Sequence, residues 1–339
     1  MARTPLRAAL AAAGAAASIG LAASLPASAA PPAQAGVLLD RQPRIAVISA
    51  FTRELEALLR ATKDRRDHRL NGSTFTTGTL EGKRVVLFLS GVSMVNAAMN
   101  TQLALDRFRV SHVVFSGIAG GVDPALHIGD VSVPTRWASY LEATFARETT
   151  PGSYTLPPWK QGRENLSNFG MIHPEPVELR DPATGELVRK LWFDMDPALL
   201  ATAKKLESIA LARCSQPSVP PQAASAAPPD AAYGQQCLLH APTVKVGGSG
   251  VSGQAFVDNA AFREYTFKTF GAQVLDMESA AVAQVAWANR VPCIAFRSVS
   301  DLAGGGEGGN EIKLFLQLAS DNSASVVRAF LNALELPRR

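Results

Sequence analysis

The sequence predicts one α/β domain whose central sheet is buried on both faces by helices, and three observations carry this. The runs Arg44 to Ala50, Arg84 to Ser90, His112 to Ser116 and Cys293 to Val299 are continuously apolar or β-branched, without the alternation of a half-exposed strand. Helical patterns stand between them, the arrangement that builds sheets covered on both sides. The chain has 339 residues, 47% of them hydrophobic and 18% charged, ample for one large core.

In chain order, the first strand is followed by a helix that starts at Glu54 and runs through Leu59. The strand ending at Ser90 meets Gly91 and then a helix over Met94 to Phe108, with alanine and leucine at helical spacing. The strand ending at Ser116 runs straight into the glycine-rich Gly117-Ile-Ala-Gly-Gly121. Asp130 to Pro134 and Thr243 to Gly247 are further strands, and Asp196 to Ala212 has the pattern of an amphipathic helix. The stretch 145–190, rich in proline, glycine, asparagine and tryptophan, is expected to be an irregular excursion. No internal repeat is visible.

The net charge is only +4, lysine and arginine are dispersed, and four tyrosines and four tryptophans give no basic-aromatic stripe, so no nucleic-acid partner is expected. The five histidines are scattered and the three cysteines have no metal-ligand spacing, so neither metal nor cofactor is expected. Arg3 and Arg7 precede an alanine-rich apolar run from Ala8 to Leu25, and Ala27-Ser-Ala29 supplies small residues for cleavage. This is the pattern of a secretory signal peptide over 1–29, followed by a flexible segment over 30–43 and the folded domain over 44–336. The alternative, an uncleaved anchor, is disfavoured because alanine is weakly apolar. The expected product is periplasmic or secreted, with no membrane attachment after cleavage. Cys214 and Cys237 bracket a proline-, alanine- and serine-rich loop and make a reasonable disulfide in an oxidising compartment, while Cys293 lies in an apolar strand and is expected to be buried and free.

Two segments end in acids where they leave the core. Val274-Leu-Asp-Met277-Glu278 opens a small-residue helix (Ser279 to Ala288), and Phe296-Arg-Ser-Val-Ser300-Asp301 closes a strand before the glycines at 304–309. Ligands of open parallel sheets gather at the carboxyl ends of strands, which points to an active site there. Helix or loop capping is the plainer alternative for any one of these acids.

Five ordered motifs carry a resemblance: the strand leading to Glu54, Gly117 to Val131, Ser252-Gly-Gln-Ala-Phe256-Val257-Asp258, Asp276-Met-Glu-Ser-Ala-Ala281 and Arg297-Ser-Val-Ser-Asp301. Together they resemble the nucleoside phosphorylase superfamily, and within it the methylthioadenosine/S-adenosylhomocysteine nucleosidases. The resemblance implies a single α/β domain around a mixed, partly barrel-like sheet flanked by helices, a homodimer, and a small purine nucleoside as ligand. It implies hydrolysis of the N-glycosidic bond with release of adenine. Asp301 matches the acid that serves purine N7, with Ser300 orienting it; Glu54 matches the base that activates water; Glu278 matches the contact to the ribose hydroxyls, with Met277 packing on the sugar. Phe256 matches the aromatic that stacks on the base and Val257 the backbone that reads its edge, while Ile118, Ala119 and Gly120 line the ligand with backbone N–H groups.

Considered singly, Phe256 would be ordinary core and Glu54 a first-turn acid favoured by the helix dipole. Nucleosidases usually carry serine where this chain has Ile118. Phosphorylases of the superfamily hold phosphate with arginines and that serine; here Phe115 and Ile118 occupy the corresponding region, which favours water as nucleophile unless Arg53, Arg136 or Arg297 reaches the site. A phosphate-dependent enzyme, or a catalytically weak binding or storage-type protein, are the alternatives. Export can be checked directly: the mature chain is expected to begin near Ala30, read by mass spectrometry of the secreted or periplasmic protein, and an intact Met1 in a soluble cytoplasmic fraction would overturn it.

Overall fold

The computed structural model describes residues 37–161, 166–215 and 237–336, so the expected signal segment 1–29 lies outside the described residues. The first strand, β1 (Asp40–Ser49), starts inside the segment expected to be flexible up to residue 43. It leads into α1 (Thr52–Ala61), and a meander follows: β2 (Lys63–Leu70), β3 (Ser73–Leu80) and β4 (Lys83–Leu89). The charged β2 forms one edge of the sheet, where its side chains discourage pairing with another chain. Next come α2 (Met94–Arg107) and the long β5 (Phe108–Gly121), then β6 (Val131–Val133) and β7 (Arg136–Ser139).

The stretch expected to be irregular is ordered as small ribbons instead. It contains β8 (Ala143–Phe145), β9 (Arg147–Thr150), β10 (Ser153–Thr155), β11 (Ile172–Pro174), β12 (Val177–Arg180) and β13 (Leu187–Lys190), paired antiparallel as β8 with β11, β9 with β10 and β12 with β13. Its glycines and prolines mark turns between strands too short to show a period. Glu175 holds the ribbons together, accepting from the Thr144 hydroxyl and pairing with Lys160 and Arg189.

After β14 (Phe193–Asp194) comes α3 (Pro197–Lys204), which is shorter than the helix expected over 196–212. Asp196 caps it by accepting from the backbone N–H groups of Ala198 and Leu199. Beyond Lys204 the chain turns. The Asn322 side chain then takes both the N–H and the carbonyl of Ala212, giving the backbone partners that a longer helix would have supplied. Leu206, Ile209 and Leu211 still pack against the core, which is why their spacing imitated a helix face. A disulfide joins Cys214 to Cys237, and Cys293 is buried and free. The remaining elements are β15 (Val244–Val246), β16 (Ser249–Ser252), α4 (Ala260–Phe270), β17 (Ala272–Asp276), α5 (Ser279–Ala288), β18 (Cys293–Asp301) and α6 (Ile312–Ala333). None of the described helices is long and apolar enough to cross a membrane.

Twelve strands form one mixed sheet, and β5 is where it divides. The first half of β5 lies between β1 and β18, both parallel to it; at Gly120 and Gly121 the β1 edge is taken over by β17, which runs antiparallel. The sheet therefore splits into two branches, one continuing through β16, β7 and β14, the other through β18, β6 and β15. Continuous apolar strands serve both faces. Ala46, Ile48 and Phe115 pack on one side with the alanines of α2 and α5, while Ile45, Val47, Val114 and Phe296 pack on the other with Leu55 and Leu58 of α1 and with Phe330 and Leu331 of α6. A third cluster joins Phe262 and Phe270 of α4 to Tyr140, Val251 and Leu275.

Packing along the β7–β16 branch is tight. A β-carbon added at Gly250 would lie 2.6 Å from the ring of the fully buried Trp137. Gly250→Ala is expected to destabilise the protein by about 1–3 kcal/mol, read from its urea midpoint, because neither the ring nor the strand has room to move; an unchanged midpoint would show that Trp137 can rotate away.

Candidate active site

All ten residues singled out from the sequence line one cavity of about 190 Å³: Glu54, Ile118, Ala119, Gly120, Phe256, Val257, Met277, Glu278, Ser300 and Asp301. The cavity opens where β1 and β18 end, where β17 meets β5, and where β5 has left β1 but not yet joined β17. Between those two pairings the β5 edge has backbone groups free for other partners. The N–H of Ile118 donates to Glu54 Oε1 at 2.8 Å, and that of Gly117 donates to the Ser323 hydroxyl at 3.1 Å.

Glu54 is 1% exposed, and Ala50 and Phe51 donate backbone N–H groups to its other oxygen, Oε2. Burial pushes its carboxyl up to about 6, against the pull of the Arg297 guanidinium and of the three N–H donors. Glu278 follows β17 and accepts from the backbone N–H of Ser93 at 2.7 Å. Burial first, and the Asp276 carboxylate beside it second, push Glu278 up to about 7. Asp301 ends β18. Its Oδ2 accepts from Ser300 at 2.8 Å, and its Oδ1 from the Ala303 N–H at 2.9 Å and from Asn310 Nδ2 at 3.3 Å. Burial raises its pKa although all three donors pull it down. Phe256 is 57% exposed, so it is no core residue; its ring stands at the cavity with Val257 beside it.

Several contributors were not legible beforehand. Asp276 and Arg297 lie in the quoted motifs, yet their pairing depends on the fold. Arg297 is wholly buried, its Nε 2.7 Å from Asp276 Oδ2 and its guanidinium 3.8 Å above the Phe115 ring. Its terminal nitrogens have no hydrogen-bond partner among the described residues. Gly117 permits this arrangement: a β-carbon there would fall 2.0 Å from Arg297 Nη1 and 2.6 Å from Glu54 Oε1. Ser93 sits at φ 81°, a backbone conformation that disfavours any side chain, and no sequence signal marks it. Asn310, beyond the glycines, reaches back to Asp301, and Phe51, Val92 and Ile312 complete the apolar wall. Arg53 is exposed on α1 and Arg136 stacks on Trp192 at 4.2 Å. No arginine or lysine among the described residues lines the cavity.

Residues 44–332 match the phosphorylase superfamily, and the chain belongs to it. It is 27% identical over 294 residues to a 5'-methylthioadenosine/S-adenosylhomocysteine nucleosidase of Halalkalibacterium halodurans, covering 86% of this chain and 99% of that one. It is 25% identical over 280 residues to bark storage protein A of Populus deltoides, covering 79% of this chain and 80% of that one. The fold matches the nucleosidase of S. pneumoniae solved with a transition-state inhibitor, with a TM-score of 0.61 at 22% identity, covering 86% of this chain and all (100%) of that one.

The raised acids make a stability prediction. Glu278→Gln keeps an oxygen for the Ser93 N–H but removes the buried charge. Between its ordinary 4.5 and about 7 the folded protein holds a proton that the unfolded chain releases, so stability falls as pH rises through that window. The glutamine variant lacks that loss. Near pH 8 it is expected to exceed the parent by on the order of 2 kcal/mol in urea unfolding, with the gap closing toward pH 4.5. A gap that does not vary with pH would mean that Glu278 is not buried as a charge.

Proposed function

We propose that this chain hydrolyses the N-glycosidic bond of a purine nucleoside of the 5'-methylthioadenosine, S-adenosylhomocysteine or adenosine type, releasing adenine. The observation that carries this reading is that three acids, Glu54, Glu278 and Asp301, converge on one cavity whose described lining contains no cationic side chain. Cleaving such a bond requires protonating the departing base and stabilising positive charge on the ribose. Asp301, its pKa raised by burial, is the proton donor to purine N7, so the base leaves neutral with the electrons of the broken C–N bond. Glu278 accepts from the ribose hydroxyls with the oxygen not committed to Ser93, and Met277 packs on the sugar. Glu54, titrating near 6, is ionised at neutral pH and takes the proton of the attacking water. Phe256 stacks on the base, the Val257 backbone reads its edge, and the Ile118 to Gly120 backbone lines the sugar side.

A phosphate dianion would meet Glu54 and Glu278 without a guanidinium among the described lining residues, which supports water as the nucleophile. The likeness to a bark storage protein favours a second reading, binding without turnover. Against it stand the three acids, since a binder gains nothing from burying carboxylates whose pKa must rise. We also propose that the chain is exported, on its basic-apolar-small N-terminal pattern and its Cys214–Cys237 disulfide, and that it works as a homodimer, supported by Val95 and Met99 exposed on α2 next to Val92 at the cavity.

Incubation with methylthioadenosine, S-adenosylhomocysteine and adenosine, with and without phosphate, tests the reaction by chromatography. Free adenine and free sugar are expected at a rate indifferent to phosphate. Glu54→Gln is expected to slow turnover by about two or more orders of magnitude. A sugar 1-phosphate product would overturn hydrolysis, and tight nucleoside binding with no adenine would favour the storage-type reading. Light scattering of the same preparation gives the oligomeric state, and a monomer at the assay concentration would refute the dimer.

A further inference from the structure

Asp301 is held by more than its neighbour Ser300. Asn310, at the far end of the glycine loop, donates through Nδ2 to Asp301 Oδ1 at 3.3 Å and to Asp258 Oδ1 at 3.1 Å. Asp258 directly follows the Phe256–Val257 pair, and the next residue, Asn259, donates its backbone N–H to the Ala303 carbonyl at 3.0 Å. The segment carrying the exposed aromatic and the loop carrying the acid are therefore stitched together at two points. The two oxygens of Asp301 are loaded unequally. Oδ1 faces two N–H donors, from Ala303 and Asn310, that cannot turn into acceptors; Oδ2 faces a hydroxyl, which can rotate. Ser300 has an alternative acceptor in the Ala119 carbonyl at 3.4 Å.

We propose that Asn310 is a positioning residue for the leaving-group acid: by occupying Oδ1 it leaves Oδ2 as the oxygen that carries the transferable proton, and it ties that acid to the segment that grips the base. This rests on the nucleosidase reading. With Oδ2 protonated, Ser300 turns its own hydrogen toward Ala119 and accepts from, or releases, the Asp301 hydroxyl. After transfer to the purine, Asp301 is a carboxylate and Ser300 donates to it across the 2.8 Å Oγ–Oδ2 contact. The Asn310 amide also stabilises the carboxylate form, so it limits how far burial lifts Asp301. The other charged groups around this acid are Glu311 at the start of α6, Arg263 of α4 beside Gly305, Asp258 across the Asn310 bridge, and Glu54 and Glu278 over the cavity.

The test is carboxyl NMR of carbon-13 aspartate-labelled protein, with the Asp301 signal assigned by Asp301→Asn, alongside the pH profile of kcat/KM. Asn310→Ala removes one donor to the charged form and is expected to raise the Asp301 midpoint by about half to one pH unit. The isosteric Asn310→Asp, with a carboxylate in place of the donor, is expected to raise it further. The alkaline limb of kcat/KM, where the acid loses its proton, is expected to move up by the same amounts. A midpoint unchanged or lowered in both variants would overturn the proposal, even if activity fell. The NMR midpoint is read without turnover, so a protein that releases no purine but shows the shift would refute the nucleosidase reading and leave the Asn310–Asp301 link standing.

Discussion

Arg297 places a permanent positive charge where water does not reach, and the cavity is arranged around it. One side of the guanidinium meets Asp276, one face meets the Phe115 ring, and the backbone of Gly117 runs close enough to exclude a side chain. Several acids crowded into one apolar recess would otherwise hold their protons well above neutral pH. Arg297 lowers both Glu54 and Glu278 against burial, and so keeps a base available on one side of the cavity. Breaking the pair from either side would leave a charge stranded in the core, a cost of several kcal/mol by analogy with other buried pairs. Asp276 in turn fixes the start of α5, accepting from the backbone N–H groups of Glu278 and Ser279. A single electrostatic contact thus sets both the titration of the acids and the direction in which Glu278 leaves its strand.

Much of this arrangement was legible in the sequence, and the reasons divide cleanly. The strands around Ile45, Val86, Val114 and Ile294 are continuous apolar runs because helices cover both of their faces, a pattern that periodicity reveals. The site residues could be named because they occupy ordered motifs at strand ends, where local sequence and position in the sheet coincide. What stayed hidden needed distance information. The family resemblance implies a mixed sheet, but the direction of β17 relative to β5 is not written in Val274 to Asp276. The ribbons between Ala143 and Lys190 have strands of three or four residues, too short for a period to emerge. The amphipathic spacing of Leu206, Ile209 and Leu211 was real, but the helix stops at Lys204 and Asn322 supplies the backbone partners of Ala212 beyond it.

The cavity is also where the chain gives up stability. Carboxyls whose pKa rises on burial weaken the fold at neutral pH, Ser93 holds an unfavourable backbone angle so that its N–H reaches Glu278, and Arg297 leaves two nitrogens without partners among the described residues. These departures meet in one recess, although others lie elsewhere, such as the buried indole nitrogen of Trp137, which has no partner among the described residues. Such a distribution is expected of a site shaped for a ligand rather than for rigidity.

β5 serves two halves of the molecule at once, and this bears on how the chain is made. Its residues pair backward with β1, already synthesised, and forward with β17 and β18, which lie more than a hundred positions later in the sequence. A nascent chain that has emerged only through β5 can complete the β1–β4 layer but leaves the other edge of its longest strand without a partner. That edge is apolar and open to pairing with whatever is near. Glu278 and Asp301 arrive with the same late segments that close it, so the recess and the seal on the sheet form in one step. An interval of exposure is therefore built into the order of synthesis, and its length is set by the rate at which residues 122–301, more than half of the chain, are delivered.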